Sequence, residues 1–305
     1  MPAILVFGAT GKQGGATIRR LVEADAPVEI LAVTRNAESE GAKKLAAESP
    51  KIKLVQGDLN EPRGVFEAAK KVTSTPIEGV FSVQVAMGPG ASPESEEVQG
   101  KALIDVALEN NVKHFVYTSV DRGGERSLQN PTSIPHFLSK HHIEEYLLEK
   151  SQNGAKMEYT ILRPTAFFDN AKPGFMGNAF NAMWKWIGDK KLQCIATEDI
   201  GWFGAQALLN PEDPLYKNAA ISLAGDELNY EEAATIFKEK MGYEMPTSYW
   251  FVAQGLFLAS KEFSTMFTWF KETEAYKADI EALRKIHPGL QDFSAYLDRS
   301  PYEKN

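Results

Sequence analysis

The chain has 305 residues, of which 43% are hydrophobic and 24% charged, and its formal net charge is −8. This composition is typical of a globular protein with one large or two modest domains, and the negative charge argues against broad nucleic-acid binding. The single cysteine, Cys194, excludes an intrachain disulfide framework. No apolar run approaches the ~20 residues of a membrane span, and no signal-peptide pattern is present. We therefore expect a cytoplasmic location, with the nucleus as a second candidate location.

The first half of the chain alternates between short apolar runs and longer helical patterns. The runs predicted as strands are AILVF (3–7), VEILAVT (28–34), IKLVQ (52–56), GVFSVQV (79–85), HFVYTS (114–119) and EYTILR (158–163). The helical patterns between them cover Gly14–Ala24, Ala37–Glu48, Arg63–Val72, Glu94–Asn111 and Phe137–Gln152. Nearly continuous apolar strands separated by helices predict an α/β fold with a doubly wound parallel Rossmann sheet.

The pattern changes after Arg163. Residues 164–191 are rich in Phe, Met, Trp, Asn and Gly, and they precede a predicted strand at 193–196, a helix from Asp199 and a strand at 219–225. From Tyr230 onward the pattern is mostly helical. We therefore predict a nucleotide-binding domain over residues 1–163 and a smaller, mostly helical lobe over 164–305 that is partly interleaved with the sheet.

A glycine-rich turn follows the first predicted strand directly, in the segment AILVFGATGKQGG (3–15). Glycines there permit a tight turn and let a pyrophosphate approach the backbone at the positive N-terminal end of the next helix. Gly8, Gly11 and Gly14 follow the spacing G-x-x-G-x-x-G, which is similar to that of short-chain dehydrogenase/reductase relatives. The alternative is an ordinary strand–helix turn, but the position at the head of a βαβ series favours a dinucleotide site.

The end of the second strand indicates which dinucleotide this would be. An acid at this position would accept hydrogen bonds from the free 2′-hydroxyl of NAD, but here the strand ends in Arg35. A guanidinium can bind a 2′-phosphate through two hydrogen bonds, and Lys12 in the glycine turn could add a second cation. These residues predict NADP(H); the alternative is that both are solvated surface charges. Asp58, after the third strand, is placed either to accept from the adenine amino group or to close a structural turn.

The helix after the fifth strand reads HFLSKHHIEEYLLEK (136–150). Enzymes of the short-chain class use a Tyr-x-x-x-Lys pair there, in which the lysine binds the nicotinamide ribose and the tyrosine donates a proton. Lys140 supplies the lysine, but His136 stands where the tyrosine would be. His136 is therefore a candidate proton donor or a histidine lining a vestigial cleft. A metal site with His141 and His142 is not expected, because adjacent residues of a helix point to different sides.

The chain resembles the NmrA-like family of atypical short-chain dehydrogenase relatives, and most closely its NADPH-sensing members. The resemblance rests on the G-A-T-G-x-Q-G-G turn, the arginine after the second strand, the H-F-x-x-K-x-x-x-E-E-Y helix, VFSVQ (80–84), YTSV (117–120), LRPTAFFDN (162–170) and EDIG (198–201). It implies a Rossmann domain that binds NADP(H). The cofactor-binding residues that we expect are Gly8, Thr10, Gly11, Lys12, Gln13, Gly14, Arg35, Asp58, Leu59, Val83, Gln84, Lys140 and Pro164.

The resemblance also implies two classes of function. Some members of the family are redox-responsive regulators that bind proteins such as transcription factors, often without demonstrable catalysis, while relatives with the same fold reduce quinones or aromatic substrates. We expect a redox sensor with weak or no dehydrogenase activity, and the alternative is an NADPH-dependent reductase of a small apolar carbonyl or quinone. For the oligomeric state, we regard a homodimer as an alternative to a monomer.

Three further features remain open from the residues alone. Ser119 ends the fifth strand, where it could touch a substrate carbonyl or simply cap the strand. Aromatic and sulfur side chains after residue 164 could line an apolar pocket or form plain core: Phe167, Phe168, Met176, Trp184 and Trp202. A later stripe could dock a partner or pack against the Rossmann lobe: Trp250, Phe257, Phe263, Phe267 and Phe270.

Overall fold

A seven-stranded sheet organises the computed structural model, which describes residues 2–304. Its strands are β1 (Ala3–Val6), β2 (Glu29–Thr34), β3 (Ile52–Gln56), β4 (Ile77–Ser82), β5 (His114–Thr118), β6 (Glu158–Pro164) and β9 (Ala219–Leu223). They lie in the order β3-β2-β1-β4-β5-β6-β9, and the pairings from β3 to β6 are parallel. The order 3-2-1-4-5-6 is that of the doubly wound Rossmann fold, so the predicted fold class is confirmed.

Helices connect and cover these strands. Within residues 2–304 they are α1 (Lys12–Glu23), α2 (Glu40–Ala47), α3 (Pro62–Val72), α4 (Pro93–Glu109), α5 (Pro135–Lys150), α6 (Phe175–Trp186), α7 (Thr197–Leu209), α8 (Tyr230–Met241), α9 (Trp250–Ala259), α10 (Lys261–Glu272), α11 (Ile280–Ile286) and α12 (Phe293–Leu297). None of these helices is both long and apolar enough to cross a membrane.

The chain divides into two compact units that each draw on separate segments. The first unit comprises the described residues up to Ser119, Leu138–Arg163 and Glu198–Ile221. The second comprises Val120–Phe137, Pro164–Thr197 and the described residues from Ser222 onward. The chain therefore passes from one unit to the other within α5 and again within α7. The predicted division into domains at residue 163 stays a prediction.

The first unit owes its core to the strands of the large sheet. All four residues of β1 and all five of β5 are buried, as expected for parallel strands that helices cover on both faces. Side chains from the strands and from α3, α4 and α5 form one apolar cluster that includes Leu5, Phe66, Leu103, Phe115 and Ile143. This cluster packs β1 to β4, and most of the predicted cofactor residues lie just beyond the carboxyl ends of these strands.

The second unit has its own small sheet and its own core. Its strands are β7 (Ala166–Phe167), β8 (Leu192–Ile195) and β10 (Asp226–Leu228), with β8 in the middle, parallel to β7 and antiparallel to β10. The core is strongly aromatic and includes Phe168, Trp184, Phe237, Phe267 and Phe293. The aromatic residues of this region are therefore largely packing residues.

Local chemistry explains where several elements differ from the sequence-based bounds. Helix α2 begins at Glu40, not at Ala37, because the Ser39 hydroxyl accepts a hydrogen bond from the Ala42 amide and caps the helix. Helix α1 begins at Lys12, two residues before the predicted start. The predicted strand at 219–225 is β9, which ends at Leu223, and a separate strand, β10, follows it from Asp226 in the other sheet.

Candidate functional site

The glycine turn between β1 and α1 is closed on itself by backbone contacts. Gly8 has a φ of +64°, a conformation that favours glycine, and its carbonyl oxygen accepts the Gly11 amide at 2.8 Å. A β-carbon on Gly14 would stand 2.4 Å from the Gly8 carbonyl oxygen, and one on Gly8 would stand 2.7 Å from Val83 Cγ1. The turn can therefore pack this closely only because these positions carry no side chain.

The start of α1 offers an anion-binding position. Its N-cap is Gly11, which has no side chain to satisfy the first amides, and the first turn contains no acidic residue. The backbone amides of a helix N-terminus and the helix dipole favour a phosphate. Gln13 and Gln84, both predicted cofactor-binding residues, each have a buried side-chain oxygen without a hydrogen-bond partner in the described chain. A glycine turn that admits no β-carbon and two unsatisfied buried oxygens fit a dinucleotide in this position.

The predicted phosphate-binding cations lie at the surface. Arg35 follows β2 directly and is exposed, as is Lys12 in the first turn of α1. The chain around Arg35 is fixed by local hydrogen bonds: the Thr34 carbonyl accepts the Gly57 amide at 2.9 Å, and Asn36 Oδ1 accepts the Glu38 amide at 2.9 Å. The residues at this strand end, Thr34, Arg35 and Asn36, include no acid that could accept from a ribose 2′-hydroxyl.

The other predicted cofactor residues occupy the expected strand ends. Asp58 Oδ1 accepts the Asn60 amide at 2.8 Å, which is a structural turn, and Leu59 is half-buried beside it. Thr10 is exposed in the glycine turn, and Pro164 is the last, buried residue of β6. The roles of all these residues toward a cofactor stay predictions.

Lys140 lies in an ion pair that the sequence did not predict. Its Nζ donates to Glu96 Oε1 at 2.7 Å, and Ser139 Oγ donates to Glu96 Oε2 at 2.6 Å. Glu96 is fully buried in the first turn of α4, where the helix dipole favours a carboxylate. The lysine is thus anchored at the position where we expect a nicotinamide ribose.

His136 has a different partner, in the second unit. Glu262 Oε1 accepts the His136 backbone amide at 2.7 Å and also contacts the ring at Nδ1. The neighbouring histidines pair separately, His142 with Glu97 and His141 with Glu145. Within residues 2–304, no group of three or more His, Cys, Asp or Glu side chains could hold a metal ion.

Ser119 is engaged in a buried polar network of the first unit. Its hydroxyl donates to Glu144, whose two carboxylate oxygens accept from Arg163 Nε at 3.1 Å and Nη2 at 2.7 Å. All three residues are buried. This network accounts for Ser119 as a structural residue, and a contact with substrate stays a prediction.

The later aromatic residues divide between core and surface. Phe168 and Trp184 are buried in the core of the second unit, whereas Met176 is exposed. In the later stripe, Phe267 and Phe270 belong to this core, and Phe257 and Phe263 pack against it. Trp250 is 75% exposed and lies beside other exposed apolar residues of the same region: Tyr249, Phe251 and Leu258.

A pocket of about 580 Å³ lies at the amino ends of the strands of the large sheet. It is lined by residues that precede β4 and β5, among them Thr73, Thr75, Asn110 and Lys113. Because the strands are parallel, their amino ends lie on the side of the sheet opposite to the carboxyl ends, where the glycine turn is. This pocket therefore takes no part in the candidate cofactor site.

The strand order and the glycine turn after β1 define a Rossmann-like α/β protein of the short-chain dehydrogenase type. The chain belongs to the NmrA-like family, whose model matches residues 2–297, and the predicted family is thereby confirmed. It is 24% identical over 297 residues to an NmrA-like family domain-containing oxidoreductase of Penicillium ochrochloron, covering 92% of this chain and 86% of that one. It is 28% identical over 168 residues to an NmrA-like family domain-containing protein of Dictyostelium discoideum and spans 52% of that protein's length.

Solved structures share the fold across nearly the whole chain. The Citrobacter sp. triphenylmethane reductase complexed with NADP(H) has a TM-score of 0.73 at 20% identity, covering 98% of this chain and 99% of that one. The Escherichia coli NADPH-dependent quinone oxidoreductase complexed with NADPH has a TM-score of 0.71 at 18% identity, with the same coverage. The predicted cofactor, NADP(H), agrees with the cofactor that both of these structures hold.

Proposed function

We propose that the chain is an NADPH-binding oxidoreductase that reduces a quinone or a similar conjugated, apolar carbonyl compound. The proposal rests on the glycine turn between β1 and α1 and on two exposed cations, Lys12 and Arg35, at the positions where the sequence predicts an adenosine ribose. The NADP(H)-bound reductases that share the fold support it.

The preference for NADPH over NADH follows from charge. Arg35 and Lys12 can neutralise the negative charge of a 2′-phosphate. The free 2′-hydroxyl of NAD would instead need a carboxylate as acceptor, and residues 34–36 include no acid. Gln13 and Gln84 can accept hydrogen bonds from ribose hydroxyls or from the carboxamide through their unsatisfied oxygens.

The class of hydride acceptor follows from the absence of the usual catalytic tyrosine, whose place His136 takes. The bound cofactor supplies the hydride, and the protein mainly positions it. Lys140 orients the ribose, and His136 is the candidate proton donor. General-acid help is worth about 10²–10⁴-fold in rate, and an electron-poor quinone needs little of it. A site without tyrosine is therefore best suited to such acceptors.

A redox sensor is the second candidate, and two observations favour it. His136 replaces the tyrosine, and the segment Tyr249–Phe251 presents three exposed aromatic side chains. Contiguous exposed apolar surface often marks a protein-binding site. Such a sensor would bind NADP(H) in the cytoplasm or nucleus and dock a regulatory protein, for example a transcription factor, with little turnover.

The two candidates are separated by NADPH oxidation measured across a panel of quinones and aldehydes. The wild type is compared with His136→Ala and Lys140→Ala, and Lys285→Ala, a surface lysine of α11, serves as the control. Turnover that falls at least tenfold in both site variants and not in the control supports the reductase. Tight NADPH binding without turnover of any acceptor rejects the reductase in favour of the sensor.

A further inference from the structure

The carboxylate of Glu262 contacts both the backbone amide and the imidazole ring of His136. One carboxylate oxygen accepts the backbone amide of His136 at 2.7 Å and contacts ring atom Nδ1. The two residues are 126 positions apart in the sequence, and their side chains are only 11% and 14% exposed. Two contacts from one buried carboxylate fix both the position and the rotation of the imidazole.

The surroundings of Glu262 keep it ionised. It lies in the first turn of α10, and the His136 amide that it accepts belongs to the first turn of α5, so two helix N-termini favour its negative charge. Lys261 adds a positive charge beside it. Burial alone would raise the pKa of Glu262, but the hydrogen bonds from the His136 side chain and backbone outweigh it and hold this pKa below its ordinary value.

An ionised carboxylate is an acceptor only, so a proton must lie on Nδ1 of His136. We propose that Glu262 is a positioning residue, which retains the Nδ1 proton so that His136 exchanges protons with the substrate through Nε2. This inference rests on the proposed reductase function. In the reaction, the quinone gains a hydride from NADPH and the Nε2 proton of the imidazolium, which yields the hydroquinone and NADP⁺. The imidazole left behind carries its proton on Nδ1 and regains one at Nε2 from water.

The same helix provides a matched control. His142, six residues further along α5, pairs through Nδ1 with Glu97 at 2.8 Å, but its side chain is 38% exposed. Both pairs join a histidine to a carboxylate, yet only His136 stands at the position of the missing tyrosine. Removing Glu97 therefore tests for any general effect of breaking a His–Glu pair on α5.

The tautomer is tested by the ¹⁵N shifts of the histidine side chains, with His136→Gln used for assignment. In the wild type above pH 8, we expect Nδ1 of His136 to have the shift of a protonated nitrogen. Glu262→Gln retains an acceptor oxygen and should keep this pattern, whereas Glu262→Ala should move the proton to Nε2 for a large part of the population. A wild-type ring protonated at Nε2, or no change in Glu262→Ala, overturns the proposal.

Steady-state kinetics supply the second measurement. Glu262→Ala should lower kcat with a quinone by about 10–100-fold, which is the usual loss when a residue that orients a functional histidine is removed. The KM for NADPH should stay within about twofold of the wild-type value. Glu262→Gln should retain more of kcat than Glu262→Ala, and Glu97→Ala should match the wild type. Equal kcat in Glu262→Ala and the wild type contradicts the proposal. If the wild type has no turnover, the reductase function fails, while the tautomer measurement still tests the role of Glu262.

Discussion

Gly14 faces the carbonyl oxygen of Gly8 so closely that a β-carbon on Gly14 would stand 2.4 Å away from it. The Phe7 carbonyl oxygen would lie 2.6 Å from the same β-carbon. Both obstacles are backbone atoms, which cannot rotate out of the way as a side chain can. The contact joins the end of β1 to the first turn of α1, and it determines where the amides of that turn point.

Gly14→Ala should therefore damage both stability and cofactor binding. Overpacking against backbone costs about 1–3 kcal/mol, and the shift of the turn should weaken NADPH binding at least tenfold. Gly41→Ala is the control, since Gly41 lies in α2 with nothing within 4 Å of its β-carbon position. That substitution should stabilise the chain by about 0.5–1 kcal/mol. Urea unfolding and fluorescence titration with NADPH measure the two effects; unchanged affinity in Gly14→Ala would contradict the predicted site.

Arg35→Gln should remove most of the preference for NADPH. A hydrogen bond to a charged group contributes about 1.5–3 kcal/mol, so the NADPH affinity should fall roughly 10–100-fold while the NADH affinity changes less than twofold. Lys113→Gln removes a cation at the opposite edge of the sheet, where Lys113 pairs with Glu78, and should leave both affinities unchanged. Calorimetry gives both constants. Parallel losses for NADPH and NADH would mean that Arg35 does not read the 2′-phosphate.

The fold was predictable because its signals are local. Continuous apolar strands, helical periods and the G-x-x-G-x-x-G turn each lie within about a dozen residues, and they were enough to predict the sheet and the candidate cofactor site. Bounds moved where a cap decided them, as Ser39 does for α2. The assignment of β9 and the nearby β10 to different sheets depends on tertiary pairing, which no local pattern reports.

The ionic partners of the site residues could not be predicted for a similar reason. Glu96 pairs with Lys140 across 44 residues and Glu262 with His136 across 126. Each acid stands in the first turn of a helix, where Asp and Glu are common for electrostatic reasons alone. Nothing in the sequence separates these two acids from others in the same position, such as Glu94 or Glu231.

His114 should make the stability of the chain depend on pH. Burial lowers its pKa from 6.5 to about 4. Thr160 donates its hydroxyl proton to the Tyr216 carbonyl and so accepts from His114 Nε2. The buried Nδ1 has no hydrogen-bond partner within the described residues, so a second proton there would be an unsatisfied donor, and the neutral ring is favoured. Above pH 6.5 neither the folded nor the unfolded state binds a proton here. As the pH falls from 6.5 to about 4, only the unfolded state does, and the free energy of unfolding should drop by about 3 kcal/mol.

Urea unfolding at pH 7.5 and 4.5 measures this contribution. In His114→Gln the decrease between the two pH values should be smaller than in the wild type by about 2–3 kcal/mol. His142→Gln, which changes a half-exposed histidine, should keep the wild-type decrease. The same pH dependence in His114→Gln and the wild type would rule out His114 as its source.

The Ser119 network should respond to substitution mainly through stability. Arg163→Met leaves the buried Glu144 carboxylate without its cation, which should cost about 3–5 kcal/mol, while the double variant Glu144→Met/Arg163→Met should cost less than Arg163→Met alone. Ser119→Ala removes one hydrogen bond and should cost about 1–2 kcal/mol, with kcat within twofold of the wild type. Urea unfolding and quinone turnover, measured on the same preparations, separate the two roles of Ser119. A kcat that collapses in Ser119→Ala while the unfolding free energy holds would show that its hydroxyl acts on the substrate, because a purely structural hydroxyl cannot affect turnover without affecting stability.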